Sequence, residues 1–148
     1  MLAEKIDSDL KTAMKEKNAL KLGTLRMLKA AAENKAIEKK VETLGDDDFL
    51  DAIQKQVKQR KDSISEFEKA GRKDLVEKET KEMKILEEYL PKQMSSEELK
   101  TIVKGVISSM GVTSKQDMGR VMKEVMPKVK GRADGKQVNQ AVLDLLPR

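Results

Sequence analysis

The sequence contains no histidine and no cysteine, and these two absences remove most of the side chains on which enzymes rely. Histidine is the usual general acid or base near neutral pH. Cysteine supplies thiolate nucleophiles and, with histidine, most zinc ligands. Without cysteine the chain also lacks any disulfide framework. We therefore expect a protein that holds no cofactor and no metal and that does not catalyse a reaction alone.

Aromatic residues are scarce, and long apolar runs are absent. Aromatic residues make up 2% of the chain and charged residues 39%, a composition that favours helices over sheets. No stretch approaches the ~20 apolar residues that a membrane-spanning helix needs, and the charged segment 1–10 lacks the apolar core of a secretory leader. We expect an all-α fold, no membrane association and a cytoplasmic location.

Apolar residues repeat at helical spacing over residues 1–90. A stripe that recurs every four residues from Leu2 to Met14 predicts a first helix. A second helix, over 20–41, has the widest apolar set and should be the most buried. Two further helices that meet at Gly71 predict a long antiparallel hairpin. The predicted N-terminal subdomain, residues 1–90, thus has four helices.

The charges of this first part balance, with 20 basic and 20 acidic residues. Runs such as Lys58, Arg60 and Lys61 are interleaved with Asp and Glu, a pattern that predicts a solvated helix face. The run Asp46–Asp48 follows a glycine and predicts capping and first-turn carboxylates. A calcium loop would need Asn, Gly and a distal Glu at set positions, and these are missing.

Pro91 predicts a boundary, because proline cannot continue a helix and disfavours helical geometry at the residue before it. Beyond it, three capping patterns each precede an apolar helical repeat and predict a three-helix bundle over residues 91–148. The capping pairs are Ser95 with Glu98, Ser114 with Asp117, and Asp134 with Gln137.

The excess positive charge lies entirely in this C-terminal subdomain. Residues 91–148 carry 11 basic and 6 acidic residues, a difference equal to the net charge of +5. Six cations cluster over 120–136, and we expect them to form an RNA-binding site in which the last four contact phosphates and the first two flank them. They are Arg120, Lys123, Lys128, Lys130, Arg132 and Lys136.

Four of these cations, from Lys128 to Lys136, lie in a glycine-containing segment that leads into a helix start. There, backbone amides and flanking Lys and Arg can contact phosphates without reading bases. We expect these four side chains to be exposed. On composition alone a generic basic loop is an equal alternative. Because no aromatic residue follows Pro91, backbone recognition of folded RNA fits better than base stacking.

Several segments carry a resemblance to a known family. They are Tyr89–Ser95, Met118–Lys123 and Met126–Lys136, followed by Val138 and Asn139. Here the sequence resembles the YqeY-like proteins, whose C-terminal domain is shared with the tail of the B subunit of aspartyl/glutamyl-tRNA amidotransferase. The resemblance covers essentially the whole chain, and its B-subunit part covers about residues 92–148. It implies two all-helical subdomains and a tail that helps to bind the body of tRNA.

Three functions stay open at this level. The first is a tRNA-binding accessory protein, with tRNA as its partner. The second is a protein-interaction adaptor in tRNA amidation or translation, with an aminoacyl-tRNA synthetase or amidotransferase as its partner. The third is a component of a carbon–nitrogen ligase that uses glutamine as amido-N-donor. The phosphorylating cradle and glutaminase signature of that ligase have no counterpart in the sequence.

Overall fold

The computed structural model describes residues 1–146, and the fold of this part is all-helical, as the composition predicts. Its elements are seven α-helices and one short 3-10 turn. The α-helices are α1 (Leu2–Lys15), α2 (Ala19–Lys39), α3 (Asp46–Lys69), α4 (Lys73–Glu87), α5 (Ser96–Met110), α6 (Met118–Lys128) and α7 (Gly135–Leu145), and the 3-10 turn is Lys115–Asp117. None of the described helices is both long enough and apolar enough to cross a bilayer.

Backbone contacts divide the chain into two compact units. The first unit, Met1–Leu90, contains α1 to α4, and the second unit begins at Pro91 and contains α5 to α7. Each unit has its own apolar core, so each is described by itself.

Every helix of the first unit contributes at least one fully buried side chain to the core of that unit. Ile6, Leu25, Ile53 and Leu86 are each at most 1% exposed. The α3 and α4 helices form the predicted hairpin, and Gly71 takes the left-handed φ of +70° that ends α3. Glycine tolerates this conformation because it has no Cβ.

Two acidic residues near the start of α3 act on neighbouring helices. Asp46 Oδ1 accepts a hydrogen bond from the backbone N–H of Leu2 at 3.0 Å, so it caps α1. Asp48 Oδ2 pairs with Lys39 Nζ at 2.6 Å, at the end of α2. These carboxylates therefore bind the start of α1 and the end of α2, in addition to lying in the first turn of their own helix.

The prediction of a solvated helix face is wrong for Arg60 of α3. This side chain is buried, and its Nη1 lies 3.2 Å from Glu79 and 2.9 Å from Glu82 of α4. Its neighbours Lys58 and Lys61 are exposed, as expected. The reason is geometric, because the hairpin brings carboxylates of α4 against one residue of an otherwise solvated run.

Valines dominate the core of the second unit. Val103 of α5, Val121 and Val125 of α6, and Val138 and Val142 of α7 have no exposed surface. Each helix thus contributes to one shared core. Most of the methionines of the chain pack around the two cores, where their flexible side chains fill gaps. The six that do so are Met83, Met94, Met110, Met118, Met122 and Met126.

Two of the three predicted capping patterns form. Ser95 accepts from the backbone N–H of Glu98 at 3.1 Å, and Asp134 and Gln137 form a reciprocal capping box. The third is wrong, because Ser114 precedes the 3-10 turn and its side chain makes no capping hydrogen bond. The tighter turn occupies the residues that the capping box would need.

Candidate nucleic-acid interface

A tight turn connects α6 to the start of α7 and holds the middle of the basic segment. Gly131 adopts a φ of +76°, and its carbonyl oxygen accepts a hydrogen bond from Gln93 Nε2 at 2.8 Å. The backbone N–H of Met94 donates to the carbonyl oxygen of Arg132 at 3.0 Å. The turn is therefore fastened to the segment just after Pro91, about forty residues earlier in the chain.

Arg132 is part of this fastening. Its Nε donates to the carbonyl oxygen of Lys92 at 2.9 Å, and its Nη2 lies 3.6 Å from a carboxylate oxygen of Glu98. The expectation of full exposure is wrong for Arg132 and for Lys130, since both are half-buried. An arginine whose hydrogen bonds and charge are already engaged has less to offer a phosphate. Arg132 chiefly positions the turn.

The start of α7 is less open to an anion than the sequence suggests. Asp134 Oδ1 accepts from the N–H of Gln137 at 2.8 Å, and Gln137 Oε1 accepts from the N–H of Asp134 at 3.0 Å. Two of the amides expected to face a phosphate are thus occupied. The Asp134 carboxylate also places a negative charge where a phosphate would sit.

Lys128 and Lys136 lie at two different clefts, on either side of α5. Lys128, at the end of α6, lines a cleft with Thr101 and Gly105 of α5. Lys136, in the first turn of α7, lines another with Ser96 and other residues of α5 and α7. Both lysines are exposed, as predicted.

The two remaining cations project from α6. Arg120 is exposed and pairs with Asp117 at 3.2 Å, and Lys123 is exposed about one turn further along the helix. The structure thus divides the six predicted residues into an exposed group on α6 and α7 and a half-buried pair in the turn. The exposed group is Arg120, Lys123, Lys128 and Lys136.

Three contributors to this region were not predicted from the sequence. Gln93 and Lys92 hold the turn through hydrogen bonds that only the folded chain reveals. Lys100 adds another cation to the cleft that contains Lys136, although it lies 3.9 Å from Asp144. Among the described residues no group of three or more acidic side chains is arranged to hold a metal ion.

Comparison with known proteins gives a family and a set of relatives. Residues 3–146 match the family described as Yqey-like protein. A protein of Pyrenophora tritici-repentis named altered inheritance of mitochondria protein 41, mitochondrial, is 34% identical over 146 residues, which cover 96% of this chain and 79% of the relative. A Kluyveromyces lactis protein of the same name is 45% identical over 84 residues, covering 57% of this chain and 45% of the relative. One from Saccharomyces cerevisiae is 38% identical over 94 residues, covering 64% and 51%.

The chain thus spans about half the length of the yeast relatives that it matches. All three relatives are named as mitochondrial proteins, and this finding contradicts the expected cytoplasmic location. The expectation failed because the charged composition of segment 1–10 bears only on secretory leaders, which need an apolar core. Mitochondrial targeting segments are amphipathic and basic, so they need no apolar run.

Proposed function

The chain belongs to the YqeY-like protein family, and on that premise we propose that it is a tRNA-binding accessory protein whose second unit contacts the tRNA backbone. The contacts are made by lysine side chains to phosphate oxygens, and they discriminate by the shape of the RNA more than by its sequence. Lys123, Lys128 and Lys136 are the principal contacts. Arg120 and Lys130 lie beside them, and Arg132 positions the turn between α6 and α7.

One observation carries the proposal. Within residues 91–146, Lys123, Lys128 and Lys136 are exposed and make no ion pair with an acidic side chain. In the first unit, by contrast, basic and acidic residues are equal in number. Unpaired cations on a unit with excess positive charge attract a polyanion, because phosphate contacts release condensed counterions.

The fastened turn between α6 and α7 also supports tRNA binding by the second unit. Lys128 and Lys136 flank a segment whose backbone is held by Gln93, Met94 and the Arg132 side chain. Lysines that start from fixed backbone positions lose less conformational entropy on binding than lysines of a flexible loop. The turn therefore presents its two flanking cations in a constant arrangement.

The proposal is tested by tRNA binding of the full chain at low salt. A Lys123→Ala/Lys128→Ala/Lys136→Ala variant should bind roughly tenfold or more weakly than the unaltered protein. The matched control is Lys58→Ala/Lys61→Ala/Lys84→Ala, which removes three exposed lysines from the first unit and the same net charge. Because the relatives are named as mitochondrial, mitochondrial tRNA belongs in the assay.

Equal weakening by both triple variants, or no tRNA affinity in the unaltered protein, would contradict the site. The adaptor function would then be the better account, since a protein interface with few charges depends weakly on salt. The ligase function lacks the side chains for transfer. We expect no amidated product when the purified protein is given glutamine, ATP and misacylated tRNA.

A further inference from the structure

The α2 helix has apolar side chains on two opposite faces. One face holds Leu25, Leu28, Ala32 and Ala36, which are buried in the core of the first unit. The other face points away from that core, and its residues recur at a regular spacing. Its members are Leu20, Gly23, Met27, Ala30, Asn34 and Ile37.

This outer face is exposed to an unusual degree. Ile37 is 74% exposed, more than any other large apolar side chain in the described chain, and Met27 is 58% exposed. Gly23, Ala30 and Asn34 are exposed as well, and Leu20 is half-buried. The stripe runs for about 27 Å along the helix, at 1.5 Å per residue. Exposed large apolar side chains such as Met27 and Ile37, aligned along one helix face, commonly mark an interaction surface.

The spacing of the series identifies the kind of partner. Successive members are three, four, three, four and three residues apart, which is the 3.5-residue repeat of a helix that pairs with another helix. Asn34 occupies one of the two inward positions of that repeat. A single asparagine there is known to fix the register of paired helices at a cost in stability.

Contacts with α3 also hold the middle of the stripe in place. Met27 Sδ lies 4.0 Å from Nη2 of the buried Arg60, and the carbonyl oxygen of Met27 accepts a hydrogen bond from Gln56 Nε2 at 3.4 Å. The middle of the stripe therefore rests on α3. A preformed surface of this kind loses less entropy when it binds.

We propose that the outer face of α2 pairs with the same face of a second copy of this chain, in antiparallel orientation. In the register we assign, Met27 lies opposite Ala30 of the second copy, and Leu20 lies opposite Ile37. Gly23 lies opposite Asn34. Each large side chain near the twofold axis thus meets a small one, which allows the helices to pack closely.

Charge complementarity favours a second copy of this chain as the partner of this face. Arg26 and Glu33 lie along one edge of the stripe, both are exposed, and neither makes an ion pair within the described residues. In the assigned register Arg26 of each copy lies beside Glu33 of the other. The interface therefore contains two Arg26–Glu33 pairs, which are related by the twofold axis. A shift by one heptad would place Glu33 beside Glu33, a repulsive contact.

The first test is the self-association of the full chain by sedimentation, over roughly three decades of concentration. We expect a reversible dimer. Arg26→Glu or Glu33→Arg alone should weaken it roughly fivefold to tenfold, since each creates two like-charge contacts. The double swap Arg26→Glu/Glu33→Arg should restore it. Lys61→Glu, a charge reversal on exposed α3 surface, is the matched control and should change nothing.

The second test uses the absence of cysteine from the chain, which makes introduced thiols the only ones present. A mixture of Gly23→Cys and Asn34→Cys proteins should form the mixed disulfide faster than either protein crosslinks with itself. A chain that stays monomeric at every concentration, a dimer insensitive to Ile37→Glu, or faster self-crosslinking of Asn34→Cys would each overturn the antiparallel pairing. Circular dichroism of each variant confirms that it is folded.

Discussion

Nη1 of Arg60 in α3 lies 2.9 Å from Oε2 of Glu82 in α4, and both side chains are largely removed from solvent. Glu79, one turn earlier in α4, contacts the same Arg60 nitrogen at 3.2 Å. The Arg60 Nε has no hydrogen-bond partner among the described residues. One buried cation thus contacts two largely buried carboxylates and joins the two helices of the hairpin, and Lys78 adds a weaker contact to Glu82 at 4.0 Å.

Removing Arg60 should therefore be costly. Arg60→Ala leaves Glu79 and Glu82 close together with only the exposed Lys78, whose Nζ lies 4.0 Å from Glu82, as a counter-charge, and we expect a loss of about 3 kcal/mol in the free energy of unfolding. Lys61→Ala, on the exposed side of α3, should change it by less than about 0.5 kcal/mol. Urea unfolding measures both.

A rescue variant separates lost charge compensation from lost packing. Arg60→Met/Glu79→Gln/Glu82→Gln removes all three charges while keeping most of the volume, so it should recover most of the stability that Arg60→Ala loses. A cost below about 1 kcal/mol for Arg60→Ala would show that the cluster is well solvated in solution.

The sequence does not reveal this cluster, because its partners are distant along the chain. Arg60 lies in a run of interleaved charges, and its carboxylates follow 19 and 22 residues later. Only the register of the hairpin decides which charge turns inward. The same holds for Arg132, whose partners Lys92 and Glu98 lie far earlier in the sequence.

Tyr89 offers a pH-dependent test of the first unit. Burial, followed by the hydrogen bond to Asp9 Oδ2 at 2.6 Å and the charge of that carboxylate, raises the pKa of the Tyr89 phenol well above its ordinary value. The folded chain thus keeps the proton at a pH where the unfolded chain loses it. Stability from this group is complete below about pH 10 and is lost as the pH rises further.

The measurement is direct because the chain has one tyrosine and no tryptophan. Phenolate absorbance of the folded protein should appear at higher pH than in urea, and Asp9→Asn should move it back toward the ordinary value. Above about pH 10, the free energy of unfolding should fall more steeply for the unaltered protein than for Tyr89→Phe. Phenol ionisation at the same pH in folded and unfolded chains would contradict the buried hydrogen bond.

Two glycines of α5 should respond to alanine in opposite directions. Gly111 ends the helix with a φ of +66°, so Gly111→Ala should destabilise the protein by about 1 kcal/mol. Gly105 lies inside the helix, and a Cβ there would meet nothing within 4 Å. Gly105→Ala should stabilise by about 0.5 to 1 kcal/mol. Thermal unfolding distinguishes the pair, and equal signs would contradict the assigned helix end.

Helix ends of this kind were predictable because their signals are local. Gly71, Ser95 and Asp134 each mark a boundary that the structure confirms. The Ser114 pattern failed, since a 3-10 turn competes for the same residues. The candidate site was predictable only as a cluster of cations. Which of them are exposed depends on contacts between Arg132, Gln93 and their distant partners.

Asp134 links the stability of α7 to the proposed RNA contacts. Asp134→Asn keeps a good capping residue, so stability should change by less than about 0.5 kcal/mol, while Asp134→Ala should cost about 1 kcal/mol. Removal of the carboxylate charge two residues before Lys136 should strengthen tRNA binding roughly twofold to threefold in the Asn variant. Weaker binding by Asp134→Asn would mean that the start of α7 does not face the RNA.

The central claim, direct contact between lysines of the second unit and tRNA phosphates, is tested most directly by the salt dependence of binding. Each phosphate contact contributes roughly 0.7 to 0.9 to the slope of log affinity against log salt concentration. The Lys123→Ala/Lys128→Ala/Lys136→Ala variant should therefore show a slope that is smaller in magnitude by about 2 to 3. The Lys58→Ala/Lys61→Ala/Lys84→Ala control should keep the slope of the unaltered protein. An identical slope for the unaltered protein and the second-unit variant would contradict the account.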